Sequence, residues 1–415
     1  MNRALFFSRC YYILIGVAVL SIPFTYLLYF FITPLLLIFW IIEGDWRNKW
    51  NRLKESNTLI IVIAFALYGL VNVAGLFHAT DMVVGLMRTY DKLPFLVYPA
   101  VFFTLDKTFF TKEKVNTLFK GFLCATTLFL LICWGNSFIQ YLITNKTSHF
   151  YYTLFSKLFG HPVYCAVIVC IAFCINFYFL NHSKKKHKWL WGTLLFFYGI
   201  SIYFFQTRSG IFAFIIILIL SLFYYVHDHK KEYGKVAAMF SAVLIIFVML
   251  LKIFPNRVED YVININNPKQ LQEKSIVKKV FGARTEIWQI TYEIAMKNKI
   301  FGIGAGYKNE NYLKDDELQI INKYSLFINA HNQFLQTFLE NGIIGLFILC
   351  FLIFYSFYYA IKTKNYFLLM LLILFFINIL FESMFERHKG IFAFNLFYSL
   401  FVVKNSIFAP VCFNK

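Results

Sequence analysis

Thr58-Leu59-Ile60-Ile61-Val62-Ile63-Ala64-Phe65-Ala66-Leu67-Tyr68-Gly69-Leu70-Val71-Asn72-Val73-Ala74-Gly75-Leu76-Phe77 is an uncharged run of twenty residues. As a helix it would rise about 30 Å, the thickness of the hydrocarbon core of a bilayer. The rest of the 415-residue chain repeats the theme. It is 60% hydrophobic and 15% charged, with 53 Phe and 27 Tyr, against roughly 45–50% apolar and about 25% charged in soluble domains. Further apolar runs lie near 10–23, 25–43, 93–105, 118–136, 162–180, 189–205, 209–227, 236–254, 340–361, 366–381 and 390–403, with Pro23 breaking the first two apart. The reading is an all-α polytopic membrane protein of about 12 transmembrane helices. A soluble single-domain enzyme, a disordered chain and a secreted disulfide scaffold are excluded. Met1-Asn2-Arg3 leads into the first run without a small-residue cleavage site, so that run is expected to stay as a first span.

The net charge of +19 would suggest nucleic acid in a soluble chain. In a membrane protein it speaks first of topology, because Lys and Arg accumulate in cytoplasmic loops. With a cytoplasmic N-terminus, the inner segments carry 21 Lys and Arg and the short outer loops 7. Both termini are therefore expected inside, with no nucleic-acid partner, and Lys184-Lys185-Lys186 needs no role beyond topology. Residues 255–339 form a long polar stretch on the outer side, which divides the chain into spans one to nine (1–254), a large external, periplasmic helical loop (255–339), and spans ten to twelve with a cytoplasmic tail (340–415). Polar loops of that length tend to be functional. Within it, Ile287, Ile290, Ile294 and Ala295 have the spacing of an amphipathic helix over 283–297.

The eight cysteines lie in apolar runs or near the chain ends with no Cys-x-x-Cys, so neither a disulfide framework nor a zinc site is indicated. Charged residues are almost absent from the apolar runs, and no inverted repeat is visible. Both points weigh against a transporter or flippase. Three polar segments fall instead at the outer boundary. Gln206-Thr207-Arg208-Ser209-Gly210 presents an arginine whose planar fork suits phosphate oxygens, although an interfacial arginine reaching for head groups reads the same way. Gly282-Ala283-Arg284-Thr285-Glu286 puts Arg284 in the first turn of the loop helix. A cation is unfavourable there unless an anion lies beside it, or unless Glu286 pairs with it. Ala330-His331-Asn332 opens a helix leading into the membrane, where His331 can accept a hydroxyl proton or serve as a structural residue. Glu382, Glu386, Arg387 and His388 crowd the turn before the last run, as a salt-bridged brace or as part of a site. Gly302, Gly304 and Gly306 follow a helix rather than a strand and so read as a turn, not a nucleotide fingerprint. No metal-ligand spacing occurs and no cofactor is expected.

With these segments in place the chain resembles the O-antigen ligase and O-antigen polymerase superfamily of bacterial inner-membrane glycan transferases. The ligase signature, His followed by Asn, Ser or Gln, nine residues, Gly, two residues, and Gly, Thr or Tyr, is met by His331, Asn332, Gly342 and Gly345. Thr207-Arg208 and Gly282-Ala283-Arg284 are similar to further family segments in the same order. The resemblance implies a C-type glycosyltransferase-like fold and an undecaprenyl-pyrophosphate-linked glycan as donor. It assigns the pyrophosphate to Arg208 and Arg284 and the catalytic base to His331, with Asn332, Glu386, Arg387 and His388 as possible support. A ligase would use a sugar of the lipid A core as acceptor. A polymerase would use another lipid-linked repeat unit, and the motif does not separate the two. Other polysaccharide-assembly proteins are possible partners.

Overall fold

A computed structural model describes residues 3–25, 27–106, 108–228, 284–307 and 329–407. Among them every regular element is helical. The chain divides into two compact units, the first comprising residues 1–122 with 286–415 and the second residues 123–285. The apolar run at 236–254 and the expected boundary at 254/255 lie outside the described residues.

The first unit contains α1 (Arg3–Ser21), α2 (Tyr29–Glu43), α3 (Trp46–Glu55), α4 (Leu59–Ala74), α5 (Met82–Asp91) and α6 (Pro94–Thr104). α7 (Lys112–Thr144) begins in it and continues into the second unit, which holds α8 (Tyr152–Phe155), α9 (Pro162–His182), α10 (Lys185–Phe204) and α11 (Arg208–Asp228). α12 (Arg284–Lys297) returns to the first unit, followed by α13 (Gln333–Lys362), α14 (Tyr366–Phe381) and α15 (His388–Ile407). The starts are chemically marked. Asp81 caps α5 by accepting from the amides of Val83 and Val84, Asn332 caps α13 through Leu335 N, and Asn365 caps α14 through Leu368 N. Each satisfies a backbone donor that the first helical turn leaves without a partner.

The twelve-span expectation does not hold. Among the described residues four helices are long and apolar enough to cross a membrane: Leu59–His78, Lys112–Thr144, Pro162–His182 and Gln333–Lys362. A fifth counts if α2 and α3, bent by 110° at their junction, form one span. The reason is length as much as hydropathy. α14, apolar over its 16 residues, rises about 24 Å and falls short of a core about 30 Å thick, while Leu5–Ser21, Arg208–Phe223 and His388–Val403 are the other shorter apolar stretches among the described residues. α6 is shorter still, with 11 residues.

In the first unit α4 packs on α6 and α13, α6 on α15, and α13 on α14. Aromatic rings fill the space between them. Phe95 meets Phe385 at 5.1 Å, and Phe394 meets Phe385 at 4.9 Å and Phe375 at 5.0 Å, distances typical of favourable edge and tilted ring pairs. Phe385 belongs to the short 3₁₀ turn Met384–Glu386 before α15, so this aromatic core backs the polar turn described below. In the second unit α9 packs between α10 and α11, with Phe173 against Phe214 at 4.9 Å.

α12 and the segment that follows it are fastened to α13 by backbone bonds. Ile303 N donates to Leu339 O, Gly304 N to Glu340 O, and Ile343 N to Lys299 O. Such pairing requires a gap in the helical surface, and Gly342 provides it with a left-handed φ of +62° in the middle of α13. A Cβ there would run into the Ile300 carbonyl, and one at Gly302 (φ +74°) into that of Glu340. The first glycine of the His331 signature is thus a point of close backbone approach.

Candidate active site

His331 precedes α13 with φ +46°, a left-handed conformation uncommon outside glycine. Its amide donates to Asn329 Oδ1 at 2.9 Å, and the Asn332 cap starts the helix one residue later. The side chain is 28% exposed, and its Nδ1 lies 3.1 Å from both carboxylate oxygens of Glu382, itself 7% exposed. A carboxylate only accepts, so Nδ1 is the nitrogen that donates, and in the neutral tautomer that fits this contact Nε2 keeps its lone pair.

The residues that follow His331 hold the turn carrying Glu382. Asn332 Nδ2 donates to Leu380 O at 3.1 Å. Gln333, fully buried, donates through Nε2 to Glu386 Oε1 at 3.0 Å and to Thr337 Oγ1 at 3.3 Å, and accepts from Phe385 N at 2.7 Å.

Two turns further along α13, Glu340 is the centre of a buried charge cluster. Lys92 Nζ, with a side chain 2% exposed, lies 2.9 Å from Glu340 Oε2, 3.0 Å from Glu386 Oε1 and 2.9 Å from Asn72 Oδ1. These three acceptors use all three ammonium protons. Arg88 meets Glu340 Oε1 at 3.1 Å and stacks its guanidinium over Tyr307 at 4.8 Å from the ring centre. Gln336 Nε2 donates to Glu340 Oε1 at 2.7 Å and to the Tyr307 hydroxyl at 3.1 Å. Two cations therefore balance two carboxylates, with Lys92 and Glu340 buried and Arg88 and Glu386 at the partly exposed rim. Burial works against the Lys92 charge, but Glu340 and then Glu386 outweigh it and hold the ammonium above its usual value. Burial, and next the charge of Glu340, push the Glu386 carboxyl up, while Lys92 and Arg88 pull it back.

Beside the cluster is a cavity of about 740 Å³, lined by Phe30, Leu86, Met87 and Leu96 among apolar groups and by Asp91, Lys92 and His388 among polar ones. His388 Nδ1 lies 3.2 Å from Asp91 Oδ1. Burial pushes the Asp91 carboxyl up to about 7, against the pull of Lys92, while burial and the neighbouring Arg387 lower His388.

Of the residues singled out from the sequence, His331, Asn332, Glu386 and His388 belong to this connected region of the first unit. Arg387 is exposed on the same turn. Arg208 is the first residue of α11 in the second unit, and Arg284 the first residue of α12, at that unit's edge. Gly282 and Ala283 lie outside the described residues. Sequence reasoning passed over Arg88, Lys92 and Gln333, took Glu340 only as a filler of the signature, and gave Glu382 no link to His331. One signal was present: Arg88, Asp91 and Lys92 stand at helical spacing between two uncharged runs, a crowding that topology alone does not require.

The fold and the buried cluster define a helical, membrane-associated protein with a histidine–carboxylate pair at the start of a membrane-spanning helix. Residues 193–350 match the family model described as O-antigen ligase, a stretch that includes Arg208, Arg284 and the whole His331 signature. No curated protein matches the chain.

Proposed function

We propose that this protein is a glycan transferase acting at the periplasmic face of the bacterial inner membrane, with both termini cytoplasmic. It moves a glycan from undecaprenyl pyrophosphate to a hydroxyl of the lipid A-core sugar. The observation that carries the reading is the pairing of His331, which opens the signature, with Glu382, which lies 51 residues away. Glu382 fixes the tautomer of His331, so Nε2 faces the task of a base. The acceptor oxygen attacks the anomeric carbon as its proton passes to Nε2. The bond from that carbon to the pyrophosphate oxygen breaks, and its electron pair leaves with undecaprenyl pyrophosphate. A single displacement inverts the anomeric centre.

By the resemblance of their segments, Arg208 and Arg284 take the pyrophosphate. Guanidinium groups can stabilise the charge developing on a phosphate leaving group, which supports transfer without a divalent cation. Purified protein should keep its rate in excess chelator; loss of activity restored by magnesium or manganese would reject that part. Arg208→Lys conserves charge but loses the bidentate fork and should impair transfer badly at equal protein level.

The decisive experiment is the lipopolysaccharide pattern of a deletion strain complemented with wild type or with His331→Ala. Loss of every capped band in the deletion and in the variant supports a ligase with His331 as base. A band carrying a single repeat unit points instead to the polymerase reaction, and an unchanged ladder sinks both.

A further inference from the structure

We infer that Gln333, with Glu386 and Lys92 behind it, is a positioning residue that keeps Glu382 against His331. This rests on the reading of His331 as the base. The turn bearing Glu382 leaves α14 in extended conformation and has no helix of its own until the 3₁₀ turn at Met384. Nothing in its local sequence dictates where the Glu382 carboxylate points. Two consecutive side chains from the start of α13 grip it on either side. Asn332 holds the carbonyl of Leu380, two residues before Glu382, and Gln333 holds the amide of Phe385 and the carboxylate of Glu386, three and four residues after it.

His331, Asn332 and Gln333 thus touch residues 380–386 in one continuous stretch, and the His331–Glu382 contact lies between the two clamps. A displacement of the turn by one ångström would lengthen the 3.1 Å contact beyond hydrogen-bonding range.

The far end of the grip is anchored as well. Glu386 accepts from Gln333 and is held from the other side by Lys92 at 3.0 Å, while Lys92 is tied to Glu340 on α13 itself. The loop α13–Gln333–Glu386–Lys92–Glu340–α13 closes on one rigid helix. A primary amide suits position 333 because one bond must be donated to a carboxylate and another accepted from a backbone N–H. Glutamate would present like charge to Glu386, and an apolar residue would leave both partners unpaired in a buried setting.

The test uses the full-length protein in lipid nanodiscs with ¹⁵N-labelled histidine rings, the His331 signals being identified by their loss in His331→Ala. In the wild type, His331 should give the single signature of an Nδ1-protonated, Nε2-free ring. Gln333→Glu should split it into a mixture of tautomers and lower kcat on the order of 10²-fold, the scale of a 1 Å misplacement, with KM for the lipid-linked donor little changed. Combining Gln333→Glu with Glu386→Gln restores one amide facing one carboxylate, and should recover both the signature and most of the rate.

A folded Gln333→Glu protein that keeps the wild-type signature overturns the inference, as does a double variant that recovers nothing. If Gln333→Glu fails to accumulate, Gln333→Met carries the same expectation and the same refutation. The ring signature is read without turnover, so its failure is separate from that of the base assignment: full activity in His331→Ala removes the base and leaves the grip on Glu382 to stand or fall on the spectra.

Discussion

α9 and α13 have nearly equal hydropathy, 2.4 and 2.2 over their most apolar windows, and both are long enough to span a bilayer. They are put to different uses. α9 is 94% buried over that window and is packed by Val, Ile, Ala, Phe and three cysteines, with no charged side chain before its C-terminal end. α13 is only 39% buried, yet its first two turns bury Gln333, Gln336, Thr337, Glu340 and Asn341. Both figures for α13 describe its most apolar stretch, which begins after these turns and so does not register them. α9 is held chiefly by packing, with the buried Asn176 Nδ2 donating to Trp191 O of α10 at 2.7 Å. The start of α13 is held by polar groups that must all be satisfied at once, and buried networks of that kind fix geometry at the cost of tolerance.

The largest expected contrast is at Glu340. Glu340→Leu keeps the volume but takes a carboxylate from Arg88 and leaves the two cations with Glu386 for the two carboxylates they had, and should cost about 3–5 kcal/mol, the penalty of breaking a buried pair. Thermal unfolding in detergent would measure it; a loss below about 1 kcal/mol would show that water or Glu386 takes over the pairing. Next is His331→Ala, expected to slow transfer by about 10²–10⁴-fold, the usual contribution of a general base, at unchanged protein level. A well-folded variant keeping more than about a tenth of the normal rate would remove His331 from that role.

A subtler expectation concerns pH. Asp91, facing Lys92, Glu386, Arg88 and His388, has a carboxyl raised from 3.8 to about 7. The folded protein therefore holds a proton that the unfolded chain has released across that interval, and stability falls as pH rises through it. His388, lowered by burial, works in the opposite direction near its own titration. Asp91→Asn should flatten the fall between pH 4 and pH 7, measured as unfolding midpoint against pH. Identical slopes in both proteins would mean that Asp91 stays ionised in the fold. The smallest effect belongs to α9: Ile171→Val, at a side chain 1% exposed, should cost about 0.5–1.5 kcal/mol and leave transfer unchanged. A loss of transfer there would break the division of labour between the two helices.

Much of this molecule is legible without coordinates. The all-helical, membrane-associated character follows from composition, because 60% hydrophobic residues cannot be buried in a soluble domain of this length. The amphipathic spacing of Ile287, Ile290 and Ile294 locates α12, and the three isoleucines are buried in the structure. The polar signature from His331 to Gly345 stands out because apolar sequence surrounds it. The number of spans was not legible, since an apolar run states a preference for burial but not whether lipid or protein supplies it. α14 and α15 spend much of theirs inside the first unit, where most of their side chains are buried.

Nor could sequence say what His331 faces. Glu382 is 51 residues away, and the Lys92–Glu340 pair joins positions 248 apart. Composition and periodicity act within a turn or two of the chain, so they fixed which segments are helical and which residues are chemically able. The choice of partner for each buried charge was made by the packing of α4, α5 and α13 with the turn before α15. There Lys92 and Glu340 are shut off from water, so the buried ammonium has to find a carboxylate.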